Sequence, residues 1–307
     1  MTTGLARYRV IDLHHMGQAE TVASCLLESE AGPLLIDPGP AATLPDLRSG
    51  LAAAGYAVGD LAAVLLTHIH LDHAGASGTL ARENPRLTVY VHQAGAPHVV
   101  DPSKLLASAT RLYGARMDEL WGEVAPVPAE RVSVLEGGER LAFGGRAIDV
   151  AYTPGHAWHH VSYYVPDAGV AFVGDTAGLR TPRFPWVLPV TPPPDFDLEA
   201  WLVSIARILE WDPAEIVLTH YGAWSDPGNH FAALREGLVS WTGFARDALA
   251  GGGTDADRAA AFVARLEAWT RGKVPETEAK RFLAGAAPEA CWNGLARYWR
   301  KKDVKTQ

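Results

Sequence analysis

Cysteine is nearly absent from the chain. Cys25 and Cys291 are the only two in 307 residues, far apart and each in an apolar context. Two such residues make no disulfide scaffold, and neither sits near the main histidine cluster. Both read as small buried hydrophobes, so a metal site here must be built from nitrogen and oxygen. Positive charge is also scarce: 27 Lys and Arg face 35 Asp and Glu, for a net charge of −8 and a pI near 5.8. Nucleic-acid binding leaves a basic footprint. The only one here is the tail Arg300-Lys301-Lys302, which reads as a solvated helix end, so no nucleic-acid partner is expected. No apolar run reaches membrane-spanning length, and residues 1–8 lack the charged start and apolar centre of a secretory signal. The expectation is a cytoplasmic protein with no membrane partner. No Gly-x-Ser-x-Gly element occurs, which removes one common serine-nucleophile arrangement. With 48 % apolar and 20 % charged residues, the chain can build a large core as one large domain or two small ones.

What the chain does have is Thr67-His68-Ile69-His70-Leu71-Asp72-His73, directly after an apolar run at 61–66. On an extended segment, side chains two apart point the same way. His68 and His70 can therefore grip one metal, while Asp72 and His73, past the next bend, face a second. Around this cluster, short β-like runs alternate with helical stretches. Strands are predicted at 8–13, 21–28, 33–36, 64–67, 88–92, 131–135, 147–153, 161–165, 169–174 and 215–218, and helices at 43–55, 74–83, 103–120 and 197–211. Asp195 or Asp197 stands near the start of the last helix, whose stripe Trp201, Ile205, Ile208 and Leu209 reads as core. A proline-rich loop at 181–194 separates two regimes. From His230 on, the pattern is helical to the end, broken by Gly251-Gly252-Gly253, Lys273-Val274-Pro275 and a Gly/Ala/Pro stretch at 285–288.

Three further donors follow apolar strands in the same manner. His156 comes after Thr153-Pro154-Gly155, Asp175 after the run at 170–174, and His220 after 216–219. Functional sites in sheet proteins commonly form from loops leaving one edge. Four such loops would bring seven donors together.

This ordered set, His68-x-His70-x-Asp72-His73 followed by His156, Asp175 and His220, resembles the metallo-β-lactamase-fold superfamily over residues 8–224. Asp37, in Ile36-Asp37-Pro38-Gly39, is similar to that family's early aspartate. The resemblance implies an α/β protein with an αββα sandwich and a dinuclear centre at one edge. It implies that His68, His70 and His156 hold one metal, that Asp72, His73 and His220 hold the other, that Asp175 bridges them, and that Asp37 braces the ligand loop from behind. Residues 1–229 would form the catalytic domain, with 93–130 a capping insertion, and 230–307 a helical C-terminal extension packed on the core.

Imidazole and carboxylate donors suit two zinc ions, and also tolerate iron or manganese. Two such ions about 3.5–4 Å apart share a hydroxide that attacks an electrophilic centre while a metal polarises the oxygen under attack. Asp72 would be the catalytic residue, holding the proton of that hydroxide. Asp175 and the absence of a nearby cysteine make the chain look closer to the glyoxalase II, lactonase and phosphodiesterase branches than to the β-lactamases. The stretch from Thr153 to His160 resembles the glyoxalase II motif, whose second histidine is here His160. A dinuclear zinc hydrolase of a thioester, lactone or ester is therefore expected. The alternatives are β-lactam or phosphodiester hydrolysis on the same site, or a mononuclear iron oxygenase resembling persulfide dioxygenases.

The partner expected is a small-molecule substrate. Phe184, Trp186 and the prolines around them either form an apolar substrate wall or merely pin their loop. Tyr221 stands in for the tyrosine that family lactonases place after the bridging aspartate. His14 and His15 either line the site mouth or are structural, and His159 reads as a surface or packing residue. The C-terminal helices show no basic pair resembling the glutathione-binding residues of glyoxalase II. Their aromatics Trp241, Phe244, Trp269, Trp292, Tyr298 and Trp299 either pack the helices onto the core or mark a homodimer surface.

Overall fold

A computed structural model of the chain describes residues 8–306, apart from the side chains of Phe184, Pro185 and residues 303–306. Two six-stranded sheets face each other. The first runs β1 (Tyr8–Asp12), β2 (Ala23–Leu27), β3 (Leu34–Ile36), β4 (Ala63–Leu65), β5 (Thr88–His92), β6 (Val132–Leu135) in spatial as well as chain order. Its first three strands are antiparallel and the rest parallel. The second sheet contains β7 (Arg140–Phe143), β8 (Arg146–Tyr152), β9 (Val161–Val165) and β10 (Val170–Phe172). A side hairpin of β11 (Leu179–Thr181) and β12 (Phe184–Leu188) follows, before β13 (Glu215–Leu218) and β14 (Gly222–Trp224) complete that sheet in the order β14-β13-β10-β9-β8-β7.

Side-chain alternation sorts each strand between layers. Leu34 and Ile36 of β3 point into the space between the sheets, with Leu65, Ile148, Tyr163 and Phe172, while Leu35 between them joins Val64 and Val89 on the outer face. Strands covered on both sides read as continuous apolar runs. That is why 61–66 carries no polar alternation. Helices α1 (Leu44–Ala53), α2 (Leu71–Ala74) and α3 (Ser77–Glu83) lie on the first-sheet side. Leu47, Leu51 and Leu80 fill that layer.

The outer face of the second sheet is covered by α7 (Leu198–Leu209), which follows three helices of the segment 93–130: α4 (Ala96–Val100), α5 (Ser103–Tyr113) and α6 (Met117–Trp121). Asp197 caps α7, its side chain accepting from the backbone N–H of Ala200. The C-terminal helices α8 (Pro227–Ala250), α9 (Asp255–Arg271), α10 (Glu276–Ala286) and α11 (Pro288–Thr306) continue the same core. Trp241, Phe262, Phe282 and Trp292 pack in one cluster with Trp201, Ile205 and Ile208, and Phe244, Trp269 and Trp299 lie against it, so these aromatics point inward. Among the described residues no helix is long and apolar enough to cross a membrane.

Several local expectations are corrected. The helix predicted over 103–120 is broken at Gly114, whose φ of 55° ends α5 before a 3-10 turn leads into α6. The proline-rich segment 181–194 is not all loop, because its first half forms β12. Strands β7, β14 and helix α4 are too short to announce themselves by periodicity.

Candidate metal centre

The register of the sheets decides where the donors meet. β8 and β10 are each antiparallel to β9, and β10 is parallel to β13, so β8, β10 and β13 all end on the same side. Their following loops carry His156, Asp175 and His220. In the facing sheet β3 and β4 run parallel, which puts Asp37 and the His68–His73 stretch together at the end of that layer.

Two donor groups result. Nε2 of His68 lies 2.9 Å from Nδ1 of His70, and Nε2 of His156 lies 3.0 Å from the same atom. Asp72, His73 and His220 form the second group, with Asp72 Oδ2 at 3.2 Å from His220 Nε2 and 3.7 Å from His73 Nε2. Asp175 stands between them. Its Oδ1 lies 3.3 Å from His73 Nε2 and 3.6 Å from His220 Nε2, whereas its Oδ2 lies 3.4 Å from His156 Nε2. A tetrahedral zinc with bonds of ~2.0–2.1 Å spaces its ligands ~3.3 Å apart, so both groups have the spread of a ligand shell. His73 Nε2 and Asp175 Oδ1 are buried and have no hydrogen-bond partner. Orphaned buried polar atoms are costly and rare. Here they aim at one point, and a cation there fits the donor set.

The far side of each ring is held as well. Asp37, 1 % exposed, accepts from Thr67 N–H through Oδ1 (2.8 Å). Its Oδ2 accepts from Thr67 Oγ1 (2.7 Å) and Thr219 Oγ1 (2.9 Å), and pairs with His73 Nδ1 at 2.8 Å. One carboxylate thus ties together the residues preceding His68 and His220 and fixes the ring of His73. The carbonyl of Val190 receives His156 Nδ1 (2.9 Å), and that of Thr21 receives His220 Nδ1 (2.8 Å). Each places the proton on Nδ1 and leaves Nε2 free to donate a lone pair. His160 accepts the backbone N–H of Asp175 at 3.2 Å and sits 3.0 Å from Thr153 Oγ1, so it orients the loop that carries Asp175. Gly174 completes that turn at φ 43°, where a Cβ would come within 2.6 Å of Thr67 Oγ1 and 2.8 Å of His160 Nε2.

The electrostatics divide the two groups. Burial, reinforced by neighbouring imidazoles, pushes His68 well below its usual range and His70 down to about 3. Burial also lowers His156. These rings are deprotonated donors. For His73 and His220 burial acts in the same direction, but the Asp175 and Asp72 carboxylates outweigh it and raise both. Asp175 is pushed up by burial and pulled down further by His73, His220 and His156, ending well below the carboxylate range. The second group therefore demands positive charge, as protons or as a cation.

His70, Asp72, His156, Asp175 and His220 line the floor of a 220 Å³ open cleft, with His68 and His73 buried beneath. One side is built by α5 and α6, with Leu105, Tyr113 and Trp121, and the other by Val190 and the prolines at 192–194. The prolines belong to the proline-rich segment marked in the sequence, whereas Leu105, Tyr113, Trp121 and Val190 carry no such mark. Prolines of the expected wall do line this cleft, but Trp186 is not in it, which corrects the expectation for that residue. On β12 it shares a face with Leu188, two residues on, and so turns toward the C-terminal core, lining a separate 350 Å³ cavity with Arg180, Lys273 and Phe282. The side chain of Phe184 lies outside the described residues. Tyr221 does not line the cleft either. Its N–H donates to the Arg180 carbonyl, and its phenol, raised to about 12 by burial and by Asp12 and Glu20, is held protonated near those acids. His14 pairs with Asp46 at 2.9 Å, and His15 bonds the Leu120 carbonyl and stacks on Trp121, bracing α6. His159 packs beside His68 and His70 rather than at the surface.

Comparison with known proteins agrees with this geometry. The family model described as the metallo-beta-lactamase superfamily matches residues 18–220. The metallo-beta-lactamase fold-containing protein ST1585 of Sulfurisphaera tokodaii is 31 % identical over 162 residues, 52 % of this chain and 60 % of that protein. The crystal structure of ST1585 from Sulfolobus tokodaii superposes with a TM-score of 0.63 at 21 % identity, covering 94 % of this chain and 98 % of that one, a likeness of fold. A hydroxyacylglutathione hydrolase of Synechococcus sp. (strain JA-3-3Ab) is 31 % identical over 142 residues, 46 % of this chain and 42 % of that protein. The chain thus spans about half the length of the curated relatives it matches. The structure of TTHA1623 in a di-iron-bound form matches at 30 % identity with a TM-score of 0.52, over 69 % of this chain and 93 % of that one.

Proposed function

The chain belongs to the metallo-β-lactamase superfamily, and from that membership we propose that it is a metal-dependent hydrolase that cleaves a thioester, lactone or ester at a two-metal centre. The observation that carries this reading is Asp175, whose two oxygens face the two donor groups separately. A one-metal centre has no use for the second group, yet Asp72, His73 and His220 are complete. Nitrogen and oxygen donors at this spacing favour zinc. The di-iron form of TTHA1623 makes iron the alternative to measure.

Two divalent cations at these positions would supply a nucleophile from water at neutral pH and polarise the carbonyl oxygen under attack. The chain's own residues do the rest. Asp37, Val190 and Thr21 hold the rings of His73, His156 and His220 rigid, so no reorganisation is needed as charge develops. Asp72 combines contact with the second group and access to the cleft, its side chain being 24 % exposed. Burial pushes its carboxyl up, but His73 and His220 outweigh that and keep it ionised. From there it would accept a hydrogen bond at Oδ from the attacking water and orient it toward the carbonyl carbon. The carboxylic reading follows the Thr153–His160 stretch and Asp175, and no lysine or arginine among the described residues lines the cleft to hold an anionic group lying away from the metals.

The test combines elemental analysis with a panel of thioesters, lactones, esters, β-lactams and phosphodiesters. Close to two metals per chain, and carboxylic ester-like turnover lost in Asp72→Ala, is the expected result. Full activity in metal-free protein would overturn the reading. One iron per chain with oxygen uptake on a persulfide would replace it with an oxygenase.

A further inference from the structure

The wall of the cleft differs in kind from its floor. Above the donors, α5 and α6 contribute Leu105, Leu112, Tyr113 and Trp121, and the loop after β12 faces them with Pro192 and Pro193. Among the described residues, the only carboxylates on the cleft surface are Asp72 and Asp175, both turned to the metal donors, and no lysine or arginine lines it. Anionic groups are held by charged forks or ammonium groups. A substrate recognised through carboxylates, such as a glutathione thioester, would find no such partner here.

The apolar wall extends into solvent. Leu112 is 63 % and Tyr113 42 % exposed, adjacent on the last turn of α5 at the rim of the cleft. The buried side of the same helix is occupied by Leu105 and Ala109 against Leu71 and Trp121, so the core makes no further demand on Leu112. Leu112 lines the cleft instead. At 220 Å³ the space falls below the ~300–1,000 Å³ of sites for drug-sized ligands, which fits a short chain rather than a large conjugate.

We propose that the substrate carries a neutral, apolar acyl group laid between α5 and the proline loop, with its scissile carbonyl over the metal donors and Leu112 and Tyr113 covering the chain. This rests on the hydrolase reading and names its substrate class.

A series of neutral esters with acetyl, butyryl and hexanoyl groups, set against the anionic succinyl ester, tests it on the metal-loaded enzyme. The expected kcat/KM rises about fourfold per methylene before levelling, and the succinyl ester falls below the butyryl one. Leu112→Glu should collapse the hexanoyl-to-acetyl ratio by roughly tenfold, and Leu112→Arg should raise the succinyl ester relative to the butyryl one. Calorimetric binding of N-methylhexanamide against N-methylsuccinamate provides a comparison that needs no turnover, with the hexanamide expected to bind more tightly. A flat or falling ester series, or tighter binding of the succinamate, would overturn the proposal while leaving the hydrolase reading intact. Absence of all ester, thioester and lactone turnover would remove the hydrolase reading, and the amide comparison would still decide the apolar wall.

Discussion

Replacing Asp37 by asparagine changes one buried atom and tests whether the centre is organised from behind. The carboxylate accepts four hydrogen bonds, one at Oδ1 from Thr67 N–H and three at Oδ2 from Thr67 Oγ1, Thr219 Oγ1 and His73 Nδ1. An amide keeps most of these by placing its oxygen at Oδ2, which turns its NH₂ against the Thr67 N–H. The Thr67 N–H and the new NH₂ are then two buried donor groups left unpaired, at ~1–3 kcal/mol each, and three bonds that lose a charged acceptor are weakened by a further ~1 kcal/mol each. The metal-free protein should therefore lose at least ~5 kcal/mol in a denaturant titration. Metal affinity should fall unevenly. His73 is oriented by Asp37 directly, so the group of Asp72, His73 and His220 should lose about 10–100-fold. His68 is reached only through the Thr67 hydroxyl, 3.2 Å from its Nδ1, and its group should change by a few-fold at most. Chelator competition resolves the two steps, and elemental analysis after dialysis should find close to one metal per chain. Two sites of unchanged affinity, or an equal loss at both, would refute the idea that Asp37 acts through His73.

The loop around Asp175 offers a second perturbation. Gly174→Ala forces a Cβ against Thr67 and His160 at a left-handed φ, and should cost ~2–4 kcal/mol and reduce metal content; a variant with wild-type stability and stoichiometry would show that the loop has slack. His230, lowered to about 4 by burial and by Arg180, must stay neutral in the folded state. Because its folded pKa lies below its unfolded value of about 6.5, its contribution is intact above that value and is lost as pH falls through about 4. Between pH 7 and 4 the wild type should lose about 3 kcal/mol more than His230→Gln, and parallel acid profiles would contradict this. Finally, stripping the metals should lower the melting temperature by ~10 °C, since ligand at a thousandfold excess over its dissociation constant stabilises by about 4 kcal/mol. An unchanged melt after chelation would count against a loaded centre.

Much of the donor set is legible in the sequence alone, for a physical reason. Histidine and aspartate directly after a buried strand are uncommon, and the strand itself shows as an unbroken apolar run such as 61–66. Strand ends on one side of a sandwich must lie near one another, so order along the chain translates into proximity for His68, His156, Asp175 and His220. The supports are partly legible. Asp37 stands out by its place in Ile36-Asp37-Pro38-Gly39, yet its four partner atoms come from positions 67, 73 and 219. The carbonyls of Thr21 and Val190 carry no sequence signal at all, because every residue has one.

The substrate wall is legible only on its proline side, for the opposite reason. Phe184 and Trp186 attract notice as aromatics among prolines, but a strand assigns alternate residues to opposite faces. Nothing in the run 181–194 marks where pairing with β11 begins or which face Leu188 will bury. One side of the wall comes from the proline run at 192–194, but the other comes from α5 and α6, where Leu105 and Leu112 look like ordinary core residues of an amphipathic helix. α5 ends at Gly114, which leaves Leu112 and Tyr113 exposed on its last turn at the rim of the cleft. Metal donors are rare residue types that must converge, so composition and strand order reveal them. A cleft wall uses the commonest apolar residues, and what separates it from the core is the absence of a covering neighbour. That absence depends on how distant segments pack, and so the chemistry of the centre is read from the chain earlier than the molecule it acts upon.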